Sequence, residues 1–295
     1  MDWNDLKYFL AVAREGQILS GARRLGVSQA TLNRRVSNLE RALNTTLFNR
    51  STLGCELTPQ GIALMERATR IETETLKIST TLSKPESPVS GTIRIGAPDG
   101  FGVAFLAPRL HLITEKFPDL SVQLVPIPRH FSLSRREADI AVTIGRPEKG
   151  RLRARKLTNY SLGLYASKNY LSEHGSPASI EALEKHKLVG YVEDLIFTPA
   201  LNFSAHFLNN WRSSIEVSSA LGQLEVVRAG GGIGILHDFM VRDMPDLLPI
   251  LPDKRLNRSY WTVWHEDLKN SPEIIEVARF LTDIVNREKK IFIAP

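Results

Sequence analysis

Between Arg23 and Arg50 the chain carries six arginines, at 23, 24, 34, 35, 41 and 50, and a single acid, Glu40. That is a net charge of +5 within 28 residues of a 295-residue chain whose formal total is +6. Guanidinium groups are chemistry for polyanions. Each offers a rigid fork of N–H donors that matches phosphate oxygens or the O6/N7 edge of guanine. Any one of these segments alone would pass for a solvated helix face. Concentrated rather than dispersed, the charge has the form of a nucleic-acid footprint.

Such groups must be held in register, and the surrounding residues supply the frame. In "SQATLNRRVSNLERAL", Ser28 to Leu43, the apolar residues Leu32, Val36, Leu39 and Leu43 step by 4, 3 and 4, the buried stripe of an amphipathic helix. Ala30, Arg34, Ser37 and Arg41 point the opposite way, with Thr31, Asn33 and Asn38 on the flanks. Ser28 suits the N-cap. Upstream, Ile18, Ala22 and Leu25 form a second short stripe that breaks at Gly26, so the pair reads as a helix-turn-helix. Gln29, Ala30, Thr31, Asn33 and Arg34 are the candidate base-edge contacts, and Ser28 and Arg35 complete the helix's DNA-facing set. "LFNRSTLGCELT" reads as two short strands around Ser51–Gly54, a wing with Arg50 at its base in reach of a phosphate or the minor groove. Residues 1–58 thus form a winged DNA-binding domain.

A long helix follows. Thr58 is a good cap and Pro59 suits the first helical position. Leu64, Ala68, Ile71, Thr75, Ile78 and Leu82 then step by 4, 3, 4, 3 and 4, a heptad seam. Lying between two domains, with no neighbouring core in view, the seam is expected to pair two chains; the alternative is a helix resting on its own domain. Pro85, Pro88 and Ser90–Gly91 complete a linker over 59–90. From 91 to 295 strand-like segments ("GTIRIGA", "LSVQLVPI", "ADIAVTIG", "LGLYAS", "HKLVGYV", "GIGIL", "YWTVWHE") alternate with helical ones, among them "FLAPRLHLITEKFP", "SALGQLEVVRAGGG" and "PEIIEVARFLTDIVNRE". The alternation argues for an α/β domain with largely parallel sheets and a ligand crevice beyond their carboxyl ends.

Enzyme signatures are thin. No two of the seven histidines lie within 11 residues of one another, and with one cysteine, Cys55, neither a thiolate metal site nor an intrachain disulfide is expected. No nucleophile elbow or phosphate-binding loop is present, and "GGGIGI" follows a helix rather than a strand. No catalytic residue, metal or cofactor is assigned. Cys55 is read as a packing thiol, with a redox role the alternative. The first twenty residues are too charged for a signal-peptide core, and no apolar run approaches a membrane span. A cytoplasmic protein is expected.

The assembled order resembles the LysR-type transcriptional regulators, and the motifs carry the resemblance: "RLGVSQ" (24–29), "NRRVSNLE" (33–40), "LFNR" (47–50) and "LTPQG" (57–61), then "READIAV" (136–142), "LYASKNYLSEHGSP" (164–177) and "VVRAGGGIGIL" (226–236). Asn33 stands where the family usually has serine, and Gln17 where a serine normally caps the first motif helix. The resemblance implies a periplasmic-binding-protein-like effector domain, with lobe I over 91–161 and 268–295 and lobe II over 162–267. It also implies a dimer assembled into a tetramer, RNA polymerase as a partner, and an effector of unspecified identity. Its site is expected between Asp99, Gly100, Phe101 and Gly102 on one side and Gly231 and Gly232 on the other, with Arg146 near the strand crossing. Asp99 either caps the helix beginning near Gly100 or pairs with a positive group on the effector while Arg146 holds a carboxylate. Two other classes stay open, an enzyme with a DNA-binding head and a nucleoid-type protein with no effector.

Overall fold

The computed structural model describes residues 2–51, 54–82, 89–126, 138–147, 150–196 and 201–294. They divide near residue 86 into two compact units.

The first unit contains helices α1 (Trp3–Glu15), α2 (Ile18–Leu25) and α3 (Gln29–Ala42), the strands β1 (Phe48–Ser51) and β2 (Gly54–Leu57), and the long helix α4 (Pro59–Leu82). The stripes expected from the sequence become one core in which Phe9, Val12, Ala22, Leu32, Val36, Leu39, Leu47 and Phe48 are buried. The α2–α3 turn depends on Gly26, whose φ of 64° is a left-handed conformation that costs glycine little. The two strands pair antiparallel with Arg50 opposite Cys55, which is the wing.

The reading of α4 as a helix without an adjacent core is corrected. Ala68 and Met65 are buried in the helix-turn-helix core, and Leu64 and Ile71 pack against it. Arg14 of α1 also holds Glu72 through two hydrogen bonds, of 3.2 and 2.7 Å. Half of the expected seam therefore covers its own domain. Thr75 is exposed and bonds back to the Ile71 carbonyl. The side chains of Ile78 and Leu82 and the hinge prolines Pro85 and Pro88 lie outside the described residues.

The second unit is built on one eight-stranded sheet. Its strands are β3 (Gly91–Ala97), β4 (Leu120–Pro126), β5 (Ile140–Ile144), β6 (Leu152–Ser167), β7 (Leu188–Gly190), β8 (Ile215–Glu216), β9 (Ile233–His237) and β10 (Leu247–His265), in the order β4-β3-β5-β10-β6-β9-β7-β8. Helices α5 (His111–Lys116), α6 (Lys168–His174), α7 (Ser204–Phe207), α8 (Ala220–Arg228), α9 (Asp238–Val241) and α10 (Pro272–Arg287) complete it. Each half is parallel, as expected: β3 with β4 and β5, and β7 with β8 and β9. The middle is antiparallel, β10 pairing with β5 and β6, and β6 with β9.

Two expectations change. "FLAPRLHLITEKFP" is not one helix. A π-helical segment over Gly100–Leu106 leads into a 3-10 turn and only then into α5, because Pro108 can donate no N–H to a continuous ladder. "YWTVWHE" and "LGLYAS" are fragments of strands of 19 and 16 residues, β10 and β6, which run through both halves. Pro249 and Pro252 disguise β10, whose pairing jumps from Ile250 to Arg255 around a four-residue excursion.

Candidate functional site

At the basic surface of the first unit α3 begins as the sequence requires. Ser28 Oγ accepts from the Thr31 amide at 3.1 Å and lies 2.8 Å from the Thr31 hydroxyl. Thr31 is thereby tied into the cap. Gln29, Ala30 and Arg34 are exposed. Gln17, where the family has serine, makes no side-chain cap bond to α2.

The basic cluster is partly neutralised from within. Arg35, expected at the DNA, turns instead to α1: its guanidinium bonds Asp2 at 3.0 Å and Asp5 at 3.2 Å and lies 5.7 Å from the Tyr8 ring centre. Its work is to lock α3 onto α1. Arg24 pairs with Glu15. Arg50 pairs with Glu40 at 3.1 Å and donates to Asn33 Oδ1 at 2.8 Å. Burial pushes the Cys55 thiol up, with Glu40 adding to the shift and Arg50 opposing it, so its thiolate is disfavoured.

A second candidate site lies in the sheet of the other unit. The strand directions carry the argument. β3, β4 and β5 run toward the middle of β6 and β10 from one side, and β7, β8 and β9 run toward it from the other. Ile144 at the end of β5 pairs with Tyr260, and His237 at the end of β9 pairs with Leu162. The carboxyl ends of both halves therefore face each other across Tyr160 and Tyr260, where open α/β sheets take ligands. Asp99, just beyond β3, bridges the gap. Its Oδ2 accepts from Ser219 Oγ at 2.6 Å and lies 3.5 Å from the Leu221 amide, at the start of α8. Ser219 in turn caps α8 by accepting from Gly222 N at 3.1 Å.

Asp99 thus caps a helix in the opposite half and not the one that begins at Gly100, which receives no side-chain bond from it. Gly100 is pressed on the same seam, where an added Cβ would stand 3.1 Å from Met240 Sδ and 3.2 Å from Ala220 Cβ. Behind it an aromatic column forms. Phe101 packs on Tyr260 at 4.8 Å, Tyr260 stacks on Tyr160 at 4.0 Å, and Tyr160 stacks on His237 at 5.3 Å. The Tyr160 and Tyr260 hydroxyls lie near each other, yet neither makes an aligned hydrogen bond among the described residues. Burial drives both phenols well above their ordinary value. It pushes His237 down to about 4, against the opposing pull of Asp99 and Asp238. The column therefore carries neutral hydrogen-bonding groups at physiological pH.

Of the other expected members only Phe101 reaches this column, and it does so as buried packing. Phe101 is core, and Gly102 packs under Pro126 and Ala97. Gly231 and Gly232 precede β9 and so lie at its far end, about 16 Å from His237 at 3.3 Å per residue. Gly232 is required there because a Cβ would fall 2.3 Å from the Lys187 carbonyl oxygen. Arg146 does follow β5, but it lies 5.8 Å from the Trp261 ring centre. Trp261 packs with Ala141 and Val263 in a separate cluster from the one holding Tyr260. Neighbouring strand residues face opposite sides of a sheet, so the Trp261 ring beside the exposed Arg146 lies on the face opposite Tyr260. The sequence reading misses Ser219, His237, Tyr160 and Tyr260. Ser219 alone leaves a local signal, a serine immediately before a helical pattern. Asp238 also escapes it: buried, it accepts from Ser161 and, at 2.6 Å, from Tyr165, which fixes the start of α9 to β6. Among the described residues no cluster of three metal-ligating side chains occurs, and no helix is long and apolar enough to cross a membrane.

Comparison with known proteins agrees with this division. Residues 3–62 match the family described as "Bacterial regulatory helix-turn-helix protein, lysR family", and residues 86–285 match "LysR substrate binding domain". The chain is 28% identical over 261 residues to the HTH-type transcriptional regulator CrgA of Neisseria meningitidis serogroup C (strain 8013), covering 87% of each. It is 27% identical over 287 residues to the HTH-type transcriptional activator TtdR of Escherichia coli (strain K12), covering 94% of this chain and 91% of TtdR. The full-length structure of the Vibrio cholerae virulence activator AphB superposes with a TM-score of 0.61 at 25% identity, covering 97% of this chain and 99% of AphB. The family matches account for both the basic winged helix-turn-helix and the two-halved sheet. The chain belongs to the LysR family of transcriptional regulators, with a DNA-binding helix-turn-helix and an effector-binding domain.

Proposed function

We propose that a small polar effector binds where the carboxyl ends of the two half-sheets meet, beside Asp99, Ser219, His237 and the Tyr160–Tyr260 pair. The observation that carries this reading is the Asp99–Ser219 bond of 2.6 Å, which ties the two halves together at the point where their strands converge. A ligand entering there competes for that bond beside two buried phenols that make no aligned hydrogen bond among the described residues. Breaking or remaking the bond changes the angle between the halves. Gly231, Gly232 and Arg146 play no part in this site.

The rest of the mechanism follows the family's logic. Two chains pair through the later turns of α4 and set two recognition helices on two half-sites, and the effector alters their spacing within a tetramer. RNA polymerase is the downstream partner, and the cytoplasm the place of action. A thermal-shift screen of the full chain against a metabolite panel tests the core of the proposal. A compound that raises the melting temperature of the wild type, and does so at least tenfold less potently in Tyr160→Phe, supports it. Compounds that act equally on both proteins place the effector elsewhere.

A further inference from the structure

The hydrogen bonds at the base of the wing fix the orientation of one amide on the recognition helix. Glu40 is anchored first. Its Oε1 accepts from the Leu47 amide at 2.8 Å and from the Phe48 amide at 3.4 Å. Its Oε2 then accepts from Arg50 Nη2 at 3.1 Å, and Arg50 Nη1 donates to Asn33 Oδ1 at 2.8 Å. A guanidinium has donors and no acceptor, so Asn33 must turn its oxygen toward Arg50. Its NH2 group is thereby aimed the other way. Asn33 lies one turn beyond the exposed Gln29 and Ala30 and shares their side of α3. This is the early part of the helix, which in helix-turn-helix proteins meets base edges.

We propose that Asn33 is a donor-only specificity residue, held in that state by Arg50, and that it excludes cytosine from the base position it faces. In the major groove guanine offers N7 and O6, thymine O4 and adenine N7, all acceptors. Cytosine offers only its N4 amino group, a donor. A free asparagine could flip its amide to accept from cytosine. With Arg50 in place the flip would set the amide's N–H groups against guanidinium N–H groups, and that exit is closed. The inference rests on the DNA-binding reading of this surface and adds which chemical edge is read there.

The test is selection of the full-length protein against a randomised duplex, followed by binding to the selected duplex with each base substituted in turn. For the wild type, one position rejects cytosine by about tenfold or more, an ordinary cost for a wrong base. Asn33→Asp keeps an acceptor for Arg50 but replaces the outward donor with an acceptor, so cytosine becomes the favoured base at that position alone. Asn33→Ala levels the preference there and leaves the other positions unchanged. Arg50→Gln, which can meet either end of the amide, restores tolerance of cytosine while Asn33 remains. Should that variant lose its fold by circular dichroism, the two Asn33 variants still decide the matter. The inference is overturned if the Asn33 variants leave every base preference intact, or if Asn33→Ala weakens selected and random duplexes equally, which marks a phosphate contact. A wild type that enriches no sequence overturns the DNA-binding reading along with it, whereas clear enrichment unmoved by Asn33 overturns this inference alone.

Discussion

His237 should make the second unit sensitive to mild acid, and the size of the effect follows from its surroundings. The ring is 6% exposed, stacked on Tyr160 and edge-on to Phe203 and Phe239. Burial holds its titration down at about 4, against an ordinary value of 6.5. Between these two pH values the unfolded chain takes up a proton that the folded chain refuses, so stability falls as pH falls. The full gap corresponds to about 3 kcal/mol, reached near pH 4, and roughly 2 kcal/mol of it is spent between pH 7 and pH 5. His237→Phe keeps an aromatic ring in the stack and removes the titration. Urea unfolding at a series of pH values, followed by tryptophan fluorescence, would measure both proteins. Three of the four tryptophans, Trp211, Trp261 and Trp264, belong to this unit. Carboxylate titrations common to the two proteins cancel in the comparison. The wild type should lose about 2 kcal/mol more than the variant between pH 7 and pH 5. Parallel curves, agreeing within about 0.5 kcal/mol, would show that His237 is protonated inside the fold and would refute the reasoning.

Three further outcomes are expected. Ser219→Ala removes both the α8 cap and the bond to Asp99 and should cost about 1–2 kcal/mol in unfolding, with Asp99→Asn costing less because an amide can still accept; equal stability of all three proteins would show that the bridge contributes nothing. Arg34→Ala should weaken selected DNA by about 1–3 kcal/mol and relax one base position, and equal weakening on random DNA at several salt concentrations would make Arg34 a phosphate contact. Ile78→Asp with Leu82→Asp should dissociate the dimer in sedimentation without lowering the melting temperature of the first unit; a dimer that persists removes the seam from α4. Ile71→Asp is unsuited to that purpose, since Ile71 packs on the helix-turn-helix core and a charge there would unfold the head.

The DNA-binding head was legible because its information is local. The Leu32–Val36–Leu39 stripe, the Ser28 cap and the Gly26 break each name their own conformation, and the structure contains all three. Side-chain partners were less legible. Arg35 is one of two adjacent arginines in the sequence, and only the placement of α1 brings Asp2 and Asp5 to it. The heptad in α4 is a true pattern, but periodicity does not say what covers a face, and the core that holds Ala68 draws on α1, α2, α3 and the wing strands as well as α4 itself. The proposed ligand end of the sheet was the hardest to read. Gly230–Gly232 was an obvious signal of close backbone approach, yet which end of β9 faces the crevice depends on strand direction, a property of the whole sheet. His237 and Tyr160 gave no sign of adjacency across 77 residues, because a contact of that range is fixed by pairing register alone.

The two halves of the effector domain are joined by β6 and β10, which cross the middle as paired, nearly uninterrupted strands of 16 and 19 residues. A loop hinge swings freely and stores little; a two-stranded ribbon behaves as a torsion bar. Any rotation of one half against the other must be taken up as added or removed twist along that ribbon, and the ladder's hydrogen bonds resist it with a restoring torque. Strand pairs already twist by about 20–25° on average, more in narrow ribbons, so a change of several degrees stays within their elastic range. Where the pairing slips, between Ile250 and Arg255 and again between Tyr260 and Trp261, the bar is softest, and the second of these points lies at the foot of the aromatic column. A small molecule wedged beside Tyr260 would therefore turn the bar at its weak point, and the domain would spring back when the molecule leaves.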